Sequence, residues 1–187
     1  MRHLVLMLFC FLALPSLAQV TPAPAANPRV VLETSAGRVV IEIYADKAPV
    51  TARNFLRYVD QKKLDGILFY RTVKVADHFG FVQLGVQNAP AKMLPPIKHE
   101  PTSQTGLSHV EGALSMARFA PGSARADFSI MVGPQHYLDA GPGSGGDGLG
   151  YAVFGRVVEG MDVVRRMLAS PTSPTESSQS SNMPRAT

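Results

Sequence analysis

The 187-residue sequence has a single cysteine, Cys10, and no tryptophan. One cysteine cannot form an internal disulfide, nor can it supply the two or more thiolates of a thiolate-containing zinc site. Basic residues are scattered: the formal net charge is only +4, and lysine and arginine form no run of five. These absences exclude a disulfide scaffold and give no indication of a nucleic-acid partner. The apolar fraction of 45% is enough for the core of one folded domain.

Motifs for metal or nucleotide cofactors are also lacking. The glycine-rich segment 141–146 matches Gly-x-Gly-x-x-Gly literally, but neither the preceding strand nor the following helix needed to hold a pyrophosphate is indicated. The five histidines show no i, i+4 pairing, and we interpret them as solvated loop residues. They are His3, His78, His99, His109 and His136. We therefore expect no metal and no cofactor.

The longest apolar run is short and lies at the N-terminus. Residues Leu4–Leu14 follow a basic start at Arg2 and precede the small residues Ser16 and Ala18. This layout is typical of a secretory signal peptide over 1–18, cleaved after Ala18. A helix of about 11 residues is too short to cross roughly 30 Å of hydrocarbon, although an uncleaved anchor is the alternative. We predict export to the periplasm (or secretion) and no stable membrane association after cleavage.

Composition then divides the remaining chain. Residues 19–27 are rich in proline and alanine, which predicts a flexible lead-in. Residues 170–187 are mostly serine, threonine and proline, which predicts a disordered tail. The folded domain is therefore predicted over 28–169.

Short runs that are typical of β-strands dominate that domain. Val30–Thr34 and Arg38–Tyr44 flank a small turn at Gly37 and predict a hairpin. Helical spacing of apolar residues predicts one helix after Pro49 and another over Met161–Leu168. Further strands are predicted over 68–73, 81–85, 113–117, 128–133 and 151–158. Many short strands with two helices favour a β-barrel or sandwich.

Two polar residues stand out within the predicted strands. Arg71 lies in a run of mainly apolar and β-branched residues over 68–73, and Gln83 lies in the apolar run over 81–85. Either residue alone is typical of a solvent-facing strand position. Together with the segments around them they form a candidate site.

Several ordered segments carry a family pattern that extends over about 29–168. They are Tyr44–Phe55, Phe69–Arg71, Gln83–Gly85, Gly112–Ala117, Phe128–Ile130, Tyr137–Asp139, Val153–Val157 and Glu159–Met161. In this order they resemble the cyclophilins, a family of peptidyl-prolyl cis-trans isomerases, and most of all its exported bacterial members. The resemblance implies a mainly β fold, a closed eight-stranded antiparallel barrel with a helix over each end.

The resemblance also implies a site and a reaction. Arg71 would donate a hydrogen bond to the prolyl nitrogen while an Xaa-Pro bond rotates, and Gln83 would orient Arg71 and bind substrate backbone. Main-chain groups of Ala117 and Arg118 would meet the extended peptide. The predicted substrate-binding residues are Phe81, Ala117, Arg118, Phe128, Ser129, Tyr137, Leu138 and Tyr151, with Phe79 as the alternative to Phe81. The implied partners are proline-containing polypeptides, bound by a monomer.

Five positions depart from the usual family pattern, and at one of them Tyr70 stands where histidine is common. Ser129 stands where phenylalanine forms the pocket floor, Leu84 replaces a glycine, Tyr137 replaces the tryptophan of cyclosporin-sensitive members, and Arg118 replaces an asparagine. Ser129 predicts a wider, more polar pocket and lower activity, and Tyr137 predicts weak cyclosporin binding. The alternative function is a non-catalytic proline-peptide binding or chaperone module with a modified pocket.

Overall fold

The computed structural model describes residues 26–142, 144 and 146–171. The predicted signal peptide over 1–18, most of the lead-in and nearly all of the predicted tail lie outside these residues. Among the described helices, none is long and apolar enough to cross a membrane.

Strands and helices form where the residue patterns predict them. The strands are β1 Arg29–Thr34, β2 Gly37–Ile43, β3 Leu68–Ala76, β4 Phe79–Gly85, β5 Ala113–Met116, β6 Phe128–Val132 and β7 Ala152–Glu159. The helices are α1 Pro49–Asp60, α2 Thr102–Thr105 and α3 Met161–Ala169, with short 3-10 turns at Pro90–Lys92 and His136–Leu138. The hairpin and both predicted amphipathic helices are thereby confirmed, and the four-residue α2 is an addition.

The sheet is open, so the expected closed eight-stranded barrel is wrong in detail. Its seven strands are antiparallel and follow the order β1-β2-β7-β5-β6-β4-β3. β1 and β3 are the two edges, and no strand ladder joins them within the part of the chain that the structure describes. Seven runs of mainly apolar residues supply the seven strands, and closure would need a further strand to pair with both edges.

The two faces of the sheet differ because side chains alternate along each strand. The inner face carries the rings of Phe128 and Phe154, which pack with Phe55 of α1 and with each other at centroid separations of 5.3 to 5.8 Å. The opposite, outer face carries small and polar residues from the same strands, including Ser115 and Ser129. This outer face holds the candidate site.

A buried carboxylate fixes the start of α1. Pro49 occupies the first turn, where its missing N–H costs nothing. Glu100 then accepts hydrogen bonds from the Val50 amide at 3.0 Å and from the Thr51 amide and hydroxyl, each at 2.7 Å. Only 2% of Glu100 is exposed. A negative charge near the N-terminus of a helix also interacts favourably with the positive end of the helix dipole.

We expect Glu100→Gln to lower the free energy of unfolding by about 2–3 kcal/mol. The NH₂ group of glutamine can only donate, so it would leave N–H and O–H groups at the start of α1 without an acceptor. Urea denaturation followed by circular dichroism measures the change. Glu111→Gln is the control: Glu111 pairs with Arg165 on the surface, where such pairs contribute about 0–1 kcal/mol. Equal effects of the two substitutions would contradict the capping role.

Candidate active site

A transverse row of directly opposed residues crosses the outer face of the sheet. Arg71 on β3 pairs with Gln83 on β4, and Gln83 pairs with Ser129 on β6. Ser129 pairs in turn with Ser115 on β5, and Ser115 with Val153 on β7. Opposed residues of an antiparallel pair project from the same face, with Cβ atoms about 4.5–5.5 Å apart. The fold therefore places Arg71, Gln83 and Ser129, all predicted from the sequence, side by side.

A β-bulge directs Arg71 onto this face. The register shifts between Phe69, which opposes Leu84, and Arg71, which opposes Gln83. With strict alternation Arg71 would share the inward side of buried Phe69. The extra residue, Tyr70, is buried and donates its hydroxyl to Asp127 Oδ1 at 3.0 Å. The bulge therefore turns the guanidinium outward next to Gln83.

The guanidinium of Arg71 is an exposed hydrogen-bond donor that two neighbouring side chains keep in place. Its Nη1 donates to Gln83 Oε1 at 3.3 Å, and its guanidinium carbon lies 5.5 Å from the centroid of the Phe81 ring. Gln83 is buried, so its carboxamide is a fixed partner. A guanidinium stays charged at physiological pH and has several N–H groups. The N–H groups of Arg71 that do not bond to Gln83 can donate hydrogen bonds to a ligand.

An apolar wall adjoins this donor. Phe81 and Leu138 pack against a small buried cluster on the outer face, formed by Ala113, Met131 and Val153. Phe79, the alternative to Phe81, instead lies against Gly133: a Cβ added there would come within 3.0 Å of the Phe79 ring. Phe81 is thus the phenylalanine that faces both Arg71 and the apolar cluster.

Tyr137 and Tyr151 lie at the rim. The Tyr137 side chain is partly exposed and donates its hydroxyl to Gln135 Oε1 at 2.8 Å. The Tyr151 amide donates to the Leu138 carbonyl at 3.0 Å, which links the rim to the apolar wall. The rim is therefore aromatic on this side.

Arg118 has a role that sequence reasoning missed. Its guanidinium donates to both Asp147 carboxylate oxygens, at 2.8 and 2.7 Å, and to the Gly150 carbonyl, at 2.6 and 3.0 Å. It also lies 5.2 Å from the Tyr151 ring centroid. The hydrogen bonds from Arg118 hold the pKa of Asp147 at about 2. Arg118 thus anchors the segment 147–150 beside the site.

One main-chain group of Ala117 is engaged within the protein, and a contact between its carbonyl and a bound peptide stays a prediction. The Ala117 amide donates to the Asp127 carbonyl at 2.8 Å, so this N–H is not available to a peptide. It continues the pairing of the two segments that extend from β5 and β6.

Phe128 was predicted to bind substrate, and the structure contradicts this. Its side chain is fully buried in the inner core, 5.4 Å from the Phe55 ring and 5.8 Å from the Phe154 ring. Adjacent residues of a strand point to opposite faces. Because Ser129 faces outward, Phe128 faces the core.

His109 is also unlike the solvated loop histidine expected from the sequence. It is fully buried, with Nδ1 2.5 Å from Asp139 Oδ1 and Nε2 2.8 Å from Ser115 Oγ. Asp139 additionally accepts from the His109 amide at 3.0 Å and from the Ser108 hydroxyl. Thirty residues separate His109 from Asp139, so no local spacing signals this Asp139–His109–Ser115 chain.

Burial lowers the pKa of His109 and outweighs the opposing attraction of Asp139. For Asp139, burial raises the pKa, but hydrogen bonds from Ser108 and His109 outweigh it and keep the pKa below its ordinary value. The ring is therefore neutral. Because the carboxylate can only accept, Nδ1 carries the proton and Nε2 is the acceptor.

We expect stability to fall as the pH drops below 6.5, the ordinary pKa of histidine. Below pH 6.5 the histidine of the unfolded chain binds a proton, while burial keeps His109 of the folded state neutral. The contribution of His109 to the free energy of unfolding is therefore complete above pH 6.5. It is lost as the pH falls toward the lower pKa of the folded state. His109→Gln should flatten this part of the curve, and His99→Gln, at a half-exposed loop histidine, is the control. Urea unfolding between pH 5 and 8 gives the slope. Identical slopes for wild type and His109→Gln would refute this.

Comparison with known proteins decides the family. The model of the family described as "Cyclophilin type peptidyl-prolyl cis-trans isomerase/CLD" matches residues 29–185. The chain belongs to the cyclophilins. Among similar proteins, a peptidyl-prolyl cis-trans isomerase of Acinetobacter baylyi is 38% identical over 151 residues, covering 79% of this chain and 76% of the relative. Isomerase B of Escherichia coli is 38% identical over 141 residues, covering 74% and 82%.

Solved structures agree on the fold of this cyclophilin. A cyclophilin of Cryptosporidium parvum aligns with a TM-score of 0.65 over 86% of this chain and 99% of its own, at 18% identity. The resemblance inferred from the motifs is therefore confirmed, and so is the enzyme class: this cyclophilin is a peptidyl-prolyl cis-trans isomerase.

Proposed function

We propose that this cyclophilin isomerises Xaa-Pro bonds of exported proteins as they fold, with Arg71 as the hydrogen-bond donor to the prolyl nitrogen. The observation that carries this proposal is the Arg71–Gln83 pair beside the apolar wall of Phe81 and Leu138. A C. parvum cyclophilin with the same fold was solved in the presence of the dipeptide Ala-Pro, which supports a proline-containing peptide as ligand. One chain supplies all these residues, so a monomer is sufficient.

The chemistry needs no covalent step. Amide resonance imposes a barrier of about 18–20 kcal/mol on rotation, so the uncatalysed change takes tens of seconds or more. In the twisted state the prolyl nitrogen regains its lone pair and accepts a hydrogen bond, which a planar amide nitrogen does poorly. A donor that favours the twisted state over both planar states accelerates rotation in both directions.

Each part of the site has a role in this step. The apolar wall holds the proline ring, so that one side of the rotating bond is fixed. Gln83 restrains the Arg71 guanidinium through the 3.3 Å hydrogen bond. Phe81 lies under the guanidinium and supports it through the ring face. The donor is thus aimed before substrate arrives, which is the condition for electrostatic catalysis.

Exchange NMR on an Ala-Pro peptide tests the activity. Wild type should broaden or exchange the cis and trans signals at substoichiometric concentration, and Arg71→Ala should not. Equal rates at the uncatalysed level, with the peptide still bound, would leave a proline-peptide binding module instead.

Export is proposed from the layout of residues 1–18 alone. Full-length protein expressed in a Gram-negative host should be recovered from the periplasm with Gln19 as its first residue, as read by mass spectrometry. Deletion of residues 2–18 should retain it in the cytoplasm. An intact N-terminus in the membrane fraction would instead support an uncleaved anchor.

We expect Ser129→Phe to raise kcat/KM on Ala-Pro peptides several-fold. Ser129 pairs directly with Gln83, and a ring at this position would close the floor of the pocket and bury more of the proline. The coupled isomerisation assay measures the change, with Ser129→Ala as the size-matched control. An unchanged or lower kcat/KM for Ser129→Phe would show that this position does not limit binding of the ring.

A further inference from the structure

Two hydroxyl groups occupy the floor of the site, where an apolar surface would suit an unsubstituted proline ring. Ser129 and Ser115 are 7% and 4% exposed and directly opposed in the β5–β6 ladder. Within the described part of the chain the Ser129 hydroxyl makes no hydrogen bond to protein, and it reaches solvent, since the one fully buried side-chain atom without a partner there is Asn54 Oδ1. A ligand group that hydrogen-bonds to this hydroxyl replaces water there and gains the modest net free energy of one neutral hydrogen bond.

The Asp139–His109–Ser115 chain fixes which partner Ser115 can take. Since Nδ1 of neutral His109 donates to Asp139, its Nε2 must accept, and the Ser115 hydroxyl donates to it at 2.8 Å. Ser115 has then spent its only proton and offers lone pairs alone. The complementary ligand group is therefore a hydrogen-bond donor, to which Ser129 can add a second hydrogen bond in either direction.

The position of this pair relative to Arg71 limits where the donor group lies on the ligand. Ser129 is two strands from Arg71 along the row, or about 9.6 Å between backbones at about 4.8 Å per strand. The Arg71 side chain covers part of that span as it reaches toward Gln83 Oε1. A ring substituent on Cγ of proline is three bonds from the prolyl nitrogen, roughly 3.5 Å for bonds of about 1.5 Å. Ser115 is one strand further, about 14.4 Å from Arg71 between backbones, so the Cγ substituent of a proline held at Arg71 meets Ser129 first, with Ser115 beyond it.

We propose that this site selects a prolyl ring with a hydrogen-bond donor on Cγ, as in 4-hydroxyproline, and that Ser115 and Ser129 determine this specificity. The inference rests on the proposed isomerase site and names its substrate class. His109 and Asp139 act as positioning residues, because they set the direction of the Ser115 hydrogen bond without touching the ligand.

Binding of matched peptides to the full chain tests the proposal. Isothermal titration compares Ala-Ala-Xaa-Phe peptides in which Xaa is proline, (4R)-hydroxyproline or (4R)-fluoroproline. The fluoro and hydroxy rings share their pucker and electron withdrawal, but only the hydroxyl donates. We expect wild type to bind the hydroxyproline peptide roughly three- to tenfold more tightly than the fluoroproline peptide, the range of one neutral hydrogen bond.

Ser129→Ala and Ser115→Ala should each bring this ratio close to one, whereas Ser170→Ala, which removes a hydroxyl at the end of α3, should preserve it. If Ser115→Ala fails to fold, Ser129→Ala and the wild-type ratio suffice. A wild-type ratio of one, or a ratio unchanged in Ser129→Ala, overturns the proposal.

Isomerisation of the proline peptide, measured on the same samples, separates the two ideas. A protein without turnover that still prefers hydroxyproline supports the specificity and refutes the proposed catalytic role. An active protein that binds the hydroxyproline and fluoroproline peptides equally supports the catalytic role and refutes the specificity.

Discussion

Arg71→Ala should reduce kcat for an Ala-Pro peptide by about 100- to 1000-fold, the effect of removing one donor aimed at a transition state. The peptide Kd should change little, because the donor favours the twisted bond over both planar forms that make up the bound ground state. The apolar wall of Phe81 and Leu138 remains in place. Exchange NMR gives the rate and the affinity from one sample.

Two further variants sharpen this test. Arg71→Lys keeps the charge but has a compact ammonium in place of the planar fork, so it should recover only a small part of the rate. Arg166→Ala removes an arginine that pairs with Asp162 on the surface of α3, and should leave the rate unchanged. A loss of less than threefold in Arg71→Ala would mean that another group supplies the catalysis.

Phe128→Ala should lower the free energy of unfolding by about 3–5 kcal/mol, as large-to-small substitutions of buried aromatic residues do. Its ring is fully buried and packs edge-to-face with Phe55 and Phe154. The folded fraction should retain its affinity for Ala-Pro peptides, because the ring lies on the face opposite the site. Urea denaturation and peptide titration measure the two quantities.

Phe81→Ala is the matched comparison, since it removes the same side chain from the outer face. It should cost less stability, because Phe81 is only partly buried, and should weaken peptide binding and catalysis. If Phe128→Ala prevents folding, Phe128→Leu provides the milder change. Loss of peptide affinity in a folded Phe128 variant, with Phe81→Ala unaffected, would return Phe128 to the binding site.

Patterns within short segments were sufficient for most of the fold. Short runs of apolar and β-branched residues predicted the seven strands, and helical spacing after Pro49 and from Met161 predicted the two longer helices. These elements depend on neighbouring residues and on which side chains must be buried, so a single sequence contains the information. No run in the sequence predicted the expected eighth strand, which was inferred only from the family resemblance.

The candidate site could be predicted only in part from such local patterns. Arg71 and Gln83 could be singled out as polar residues in apolar strands, but alternation along the strand would turn Arg71 toward the side of Phe69. The bulge at Tyr70, which reverses this, depends on the register against β4. Likewise, only one of Phe128 and Ser129 can face outward, and the pairing with Gln83 selects Ser129.

The sequence by itself determined the secondary structure, the cyclophilin family and the isomerase class, because these follow from local periodicity and from long ordered motifs. Only the tertiary structure decided which face each residue occupies and that Arg118 anchors the segment 147–150 through Asp147. It also decided that His109 joins Asp139 to Ser115 beneath the site. The Arg118–Asp147 and His109–Asp139 contacts join residues 29 and 30 positions apart. They exist only once strand register and burial bring the segments together, and no spacing along the chain encodes them.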